Sequence, residues 1–337
     1  MQRHWPVSFA IALGLSLGAL GVVLPSGNAG AAPVSTSPSG NLYRAGEFCP
    51  AVDLGYTIQG ADGPITCENV NGYNRWVAAS LTTPTKPAPA PPPPQFTGIA
   101  ATPDGGGYWL VGAQGDVSPH GDAVSYGSMA GQHLNAPINH IVSTPDGKGY
   151  WLVAADGGTF AFGDAGFFGS TGSMHLNAPV VDIAPTSDGQ GYWLVASDGG
   201  IFSYGDAQFQ GSMGGQPLNK PVVGISADDA TGGYWEVATD GGIFAFGAPF
   251  YGSTGNITLN KPVNGMTATA NDLGYWFVAS DGGIFAYGNA QFYGSTGAMT
   301  LNAPVVGMAT DSATGGYWLA ASDGGIFSYN APFYGAG

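Results

Sequence analysis

The chain has 337 residues, 58 of them Gly and 25 Pro, and its 22 acidic against 7 basic side chains give a formal charge of −15. Only 9% of residues are charged while 44% are hydrophobic and 12% aromatic, enough apolar matter for a core, and the glycines recur at fixed spacing, unlike those of an aperiodic disordered chain. The acidic excess repels polyanions, which argues against nucleic acid as a partner.

The chain opens with Arg3 and His4, an apolar run from Val7 to Leu24, and the small residues Ala29-Gly30-Ala31-Ala32. This is the pattern of a secretory signal peptide over residues 1–31, cleaved near Ala31 or Ala32, with a retained anchor as the alternative. The mature chain is then expected to be secreted or extracellular and associated with the cell surface, with no membrane partner after cleavage. Residues 41–81 form a small module holding the only two cysteines, Cys49 and Cys67. Export favours their pairing as a disulfide, and two thiols without a nearby histidine offer too few ligands for zinc. A bridge would supply about 3 kcal/mol to a segment too small for much of a core. Residues 82–95, TTPTKPAPAPPPPQ, favour extended polyproline structure and read as a semi-rigid linker.

From residue 96 to 337 the chain repeats. Gly-Tyr-Trp recurs with Trp109, Trp151, Trp193, Trp235, Trp276 and Trp318 at intervals of 42, 42, 42, 41 and 42 residues, defining copies one to six. A copy such as residues 178–219 contains four short apolar runs, VVDIA, YWLVA, IFSYG and AQFQG, separated by Gly/Asp turns and without helical periodicity. The expected fold is therefore all-β: a six-bladed β-propeller of four-stranded antiparallel blades, favoured over a β-solenoid because solenoid coils are shorter and lack tight hairpins. Each blade uses consecutive strands, so ring closure is expected to rest on side-chain packing between first and last blades, making that seam the weakest joint.

GYWLVASDGG (191–200), IFAFG (243–247), FYGS and LNAPVV resemble a repeat of secreted actinobacterial proteins found beside cell-wall or hydrolytic enzymes. AGEFCPAVDLG, DGPITCE and Arg75-Trp76 resemble a Cys-pair module from exported proteins of the same bacteria. The resemblance implies an exported repeat protein; it carries no catalytic motif and leaves the ligand open.

Several residues are candidates for chemistry. Asp156, Asp198, Asp240, Asp281 and Asp323 recur at Asp-Gly-Gly turns, where turn formation outweighs a calcium reading that would need more ligands at close spacing. The six Trp read as core, whereas aromatic pairs further along each copy offer exposed platforms at Phe168, Tyr251, Tyr293 and Tyr334. In the inner run Gly98, Gly224, Gly265 and Gly307 hold a position filled by His140 in copy two and Asp182 in copy three, a polar pair expected to share a channel-facing site. In copy one Val117-Ser118-Pro119-His120 stands where copy two has Thr159-Phe160-Ala161-Phe162, and His120 is a third channel candidate. No metal site and no cofactor is expected.

Two functions compete. One is a non-catalytic extracellular binding or scaffolding propeller for a glycan, a cell-wall polymer or another surface protein. The other is a propeller-based hydrolase, glycan-active or an esterase, working at the channel near His140 and Asp182. The near-constant repeat length leaves no long catalytic loop and favours the first.

Overall fold

The computed structural model describes residues 57–60, 63–70, 73–78 and 96–337. The signal segment, Cys49 and the linker lie outside the described residues. The chain divides into two compact units, Met1–Ala90 and Pro91–Gly337. In the first, Thr57–Gly60, Gly63–Val70 and Tyr73–Ala78 form an antiparallel meander in which Cys67 is fully buried opposite Trp76 in register.

The second unit holds six three-stranded antiparallel sheets, one per copy. Copy three is representative, with an inner strand Val180–Pro185, a middle strand Gly191–Ala196 and an outer strand Ile201–Gly205. Middle strands are buried along their whole length because a neighbouring sheet covers each face, so they read as continuous apolar runs. Inner strands neighbour one another in sequence order, and the last, Val305–Thr310, also neighbours the first, Gly98–Ala101. One backbone bond repeats at every joint, including Ile138 N–H to Ala113 O (3.0 Å), Val222 N–H to Ser197 O (2.9 Å) and, across the closure, Phe96 N–H to Ser322 O (3.1 Å). The result is a closed, six-bladed, propeller-like ring.

The expected fourth strand does not form. The run that follows each outer strand, for example residues 165–170, makes no ladder with its own sheet and instead lies as a strap against the next copy. The Gly-Tyr-Trp signature explains this. Adjacent residues of a strand point to opposite faces, so each Trp faces the following copy and each Tyr the preceding one, and Trp151 meets Tyr192 at 5.8 Å between ring centroids. Their polar ends then leave the hydrocarbon for backbone partners. Trp151 Nε1–H donates to Gly166 O (2.7 Å), while the Tyr192 hydroxyl donates to Gly169 O (2.6 Å) and accepts from Phe168 N–H (3.2 Å). Each strap is thus pinned by its own Trp and by the next copy's Tyr. Gly169 is required there, because a Cβ would stand 2.3 Å from the Tyr204 ring.

The Asp-Gly-Gly segments close three-residue hairpin loops in which only the first Gly has positive φ (+75° at Gly157). The aspartate instead accepts a hydrogen bond from the second Gly, as in Gly158 N–H to Asp156 Oδ1 at 2.9 Å, so these acids serve their own turns.

The seam between copies six and one also differs from expectation. It has the same parts as the other joints rather than packing alone: the strap after Ile326–Tyr329 laps onto copy one, where the Tyr108 hydroxyl donates to Gly335 O (2.6 Å) and the Tyr334 hydroxyl donates to Gly105 O (3.0 Å). The Tyr108 and Trp318 rings meet at 5.4 Å.

Candidate functional site

Within each of copies two to six the inner strand carries a bulge one residue into its ladder, for example between Ile138 and His140 and between Val180 and Asp182. The residue after the bulge is aimed along the ring at the next inner strand. Glycine there allows close approach: a Cβ on Gly98 would stand 3.4 Å from His140 Cα, and one on Gly224 3.5 Å from Gly265 Cα. His140 and Asp182 break this pattern side by side, and the structure brings them together. His140 Nδ1 stands 3.0 Å from Asp182 Oδ1, off the line of a straight hydrogen bond, so the contact is chiefly ionic. Asp182 also accepts from Ile183 N–H through Oδ1 (2.8 Å) and from Ile225 N–H of copy four through Oδ2 (3.0 Å). One carboxylate therefore ties three copies together at the axis. Burial is the largest single influence on His140 and lowers its pKa, but the Asp182 charge and the polar contact with its carboxylate together outweigh burial, and the net shift is upward.

Two cavities open along the axis, about 370 Å³ at the end where inner strands turn into middle strands and about 330 Å³ at the opposite end, and His140 and Asp182 line both. The pair thus sits at the waist between two vestibules. In the larger one Thr267 and Thr310 hydroxyls are hydrogen-bonded to each other at 2.9 Å. Asp229 and Asp272 also line it, and burial with the neighbouring Asp229 and Asp228 charges pushes the Asp272 carboxyl up to about 6. Among the described residues no Ser or Thr hydroxyl is hydrogen-bonded to His140. None of the described residues assembles three His, Cys, Asp or Glu side chains into a metal site.

His120 is not a channel residue. It lies on the outer strand Val117–Gly121, packs at a tilt against Tyr108 with ring centroids 5.4 Å apart and meets Ser118 Oγ at 3.1 Å beneath the strap at Gly335. It occupies the register position opposite the Tyr of the middle strand, filled by Phe162 in copy two, and burial lowers its pKa.

The aromatic platforms are displaced by one residue. Phe168, Tyr251, Tyr293 and Tyr334 are turned inward as pegs against the next copy's Tyr, with ring centroids 5.7, 5.6, 6.1 and 5.9 Å from Tyr192, Tyr275, Tyr317 and Tyr108. Tyr293 keeps 39% exposure. The residues before them face solvent: Phe167, Phe209, Phe250, Phe292 and Phe333 are each 60 to 63% exposed, at one repeated position in five of the six copies. Copy one has Ser125 there. Doublets such as Phe-Tyr-Gly carry both members, but an irregular strap offers no period from which to tell which one points out.

No protein-family model matches the chain, and neither does any curated protein. A solved structure of a structural-genomics protein of unknown function from Bacteroides thetaiotaomicron VPI-5482 is similar at 14% identity, covering 70% of this chain and 69% of that one with a TM-score of 0.47.

Proposed function

We propose that the chain is a non-catalytic extracellular binding propeller whose straps present phenylalanine rings to a glycan or cell-wall polymer. The observation that carries this reading is the five-fold recurrence of an exposed Phe on a rigid strap. Exposed apolar groups at equivalent places suit a partner that itself repeats, since weak equal contacts gain by number. The charge of −15 favours neutral polymers over polyanions. The signal peptide, the Cys49–Cys67 bridge and the 82–95 linker belong to the same proposal: a leader for export, then a stapled module and a spacer that display the ring.

The test is retention of the mature protein on cellulose, chitin and peptidoglycan, beside a variant with all five Phe changed to Ala. Retention that falls at least tenfold in the variant is expected, with single changes costing little each. Equal retention of both proteins, or retention of neither, overturns the proposal. The hydrolase reading has the Asp182–His140 contact in its favour, and an ester and glycoside panel run on the same samples would show turnover if it held.

A further inference from the structure

The six joints are not equally made, and the odd one lies between copies three and four. In five copies the third residue after the middle strand's first Gly is apolar: Leu110, Leu152, Leu194, Phe277 and Leu319. In copy four it is Glu236, on the middle strand Gly233–Ala238. Glu236 shares a strand face with Tyr234, whose ring packs on Trp193 of copy three, so its carboxyl points across the joint; its Oε2 would stand 3.0 Å from a Cβ on Gly199. The side chain is fully buried and neither oxygen has a hydrogen-bond partner.

Two further departures fall on the same joint. Ser203 Oγ, on the outer strand of copy three opposite Trp193, is also buried without a partner. The aromatic peg of the strap is missing, because Gln210 stands where the neighbouring straps have Phe168 and Tyr251. Among the described residues, the buried unpartnered side-chain atoms are therefore those of this joint together with Nδ1 of His140. Unsatisfied buried polar atoms weaken packing, and the loss of a peg removes the ring contact that seals the other joints.

We propose that the joint between copies three and four is a proton-operated latch, shut while Glu236 carries its proton and loosened when the carboxyl ionises and draws in water. The titratable groups facing Glu236 are Asp198, on the turn of copy three, and Tyr234 on its own strand. Both are acids, and no cation is among the groups acting on it, so ionisation is opposed first by burial and then by the Asp198 charge, which together push the carboxyl up to about 8. Opening restores contact with water and an ordinary carboxylate. The open form is therefore favoured as pH rises from about 4.5 toward 8, and the preference levels off above that. The strap between the two copies carries Phe209, so a loosened latch would free one exposed ring of the five. The inference does not depend on what those rings bind.

Hydrogen exchange of the whole chain, resolved to peptides and divided by the intrinsic rate at each pH, tests this. The opening constant for Val222–Ala238 should rise roughly tenfold per unit between about pH 5 and pH 8, while the matching stretches Ile138–Ala154 and Val305–Ala321, which do not border this joint, stay level. Glu236→Leu, which restores the residue of the other copies, should abolish the rise. Glu236→Gln keeps the shape without the charge and should do the same, and it serves if the Leu variant misfolds. A rise shared equally by all copies, no rise in copy four, or a rise that persists in either variant overturns the proposal.

Discussion

If every joint of the ring is built from the same parts, the closing joint should be no weaker than an internal one, and a pair of hydroxyl deletions measures this. Tyr108→Phe keeps the ring that packs against Trp318 but removes the hydroxyl that donates to Gly335 O at 2.6 Å and accepts from Tyr334 N–H at 3.3 Å. Tyr192→Phe makes the same change at the joint between copies two and three, where the hydroxyl serves Gly169 O, Phe168 N–H and Gly169 N–H. Each lost pairing of a sheltered backbone group costs about 1 kcal/mol, so each variant should lose roughly 2 to 3 kcal/mol. In a domain of this size that is a fall in Tm of about 4–12 °C. Urea unfolding followed by tryptophan fluorescence reads both variants, which should agree within about 1 kcal/mol. A loss for Tyr108→Phe at least twice that for Tyr192→Phe would show the closure to be the weak joint after all. Losses under about 0.5 kcal/mol in both would mean that the straps are held by packing and not by these bonds.

Two further outcomes follow from the same structure. Alkylation of the unfolded, non-reduced protein should add no label, because Cys49 and Cys67 are its only cysteines and the proposed export would favour their bridge; two labels per chain would refute it. At the axis, Asp182→Asn removes the charge that helps hold the His140 pKa up and leaves a single oxygen to accept from Ile183 or Ile225, so the variant should lose stability at every pH and its imidazole should titrate at lower pH by NMR. Because a raised histidine pKa stabilises the fold below its unfolded value of about 6.5 and ceases to do so as pH climbs through the folded value, the variant's deficit should be greatest in acid and shrink with rising pH; a deficit that grows with pH would show that His140 is not charged against Asp182.

The parts of this fold legible in the sequence are those whose cause is local. The Gly-Tyr-Trp spacing, the Gly/Asp turns and the short apolar runs mark three strands per copy, and the His140–Asp182 replacements point to one place because inner strands run side by side. The strap was not legible: AQFQG and its equivalents look like strands, but their hydrogen-bond partners are the Trp of the same copy and the Tyr of the next, which no hairpin rule anticipates. His120 was misplaced for a related reason, since the third run of a copy is its outer strand and lies away from the axis. Glu236 could have been found by aligning the copies, as the one acid in an otherwise apolar column. Its consequence, a carboxyl buried without partners, depends on which face of the strand meets copy three.

Because every strap reaches forward by one copy and the last reaches the first, the ring has a direction but no privileged start. Phe96 and Gly337 lie against each other, a Cβ on Gly337 standing 2.4 Å from the Phe96 ring, so the two ends of the repeat array meet at a joint with the same backbone bond as the internal ones. Physically, the array is a cycle that happens to be written as a line: shifting the frame by one copy gives a sequence with nearly the same contacts. Each copy's individuality then lies in the few positions where it departs from the cycle, and in this chain four polar ones, His120, His140, Asp182 and Glu236, fall in copies one to four.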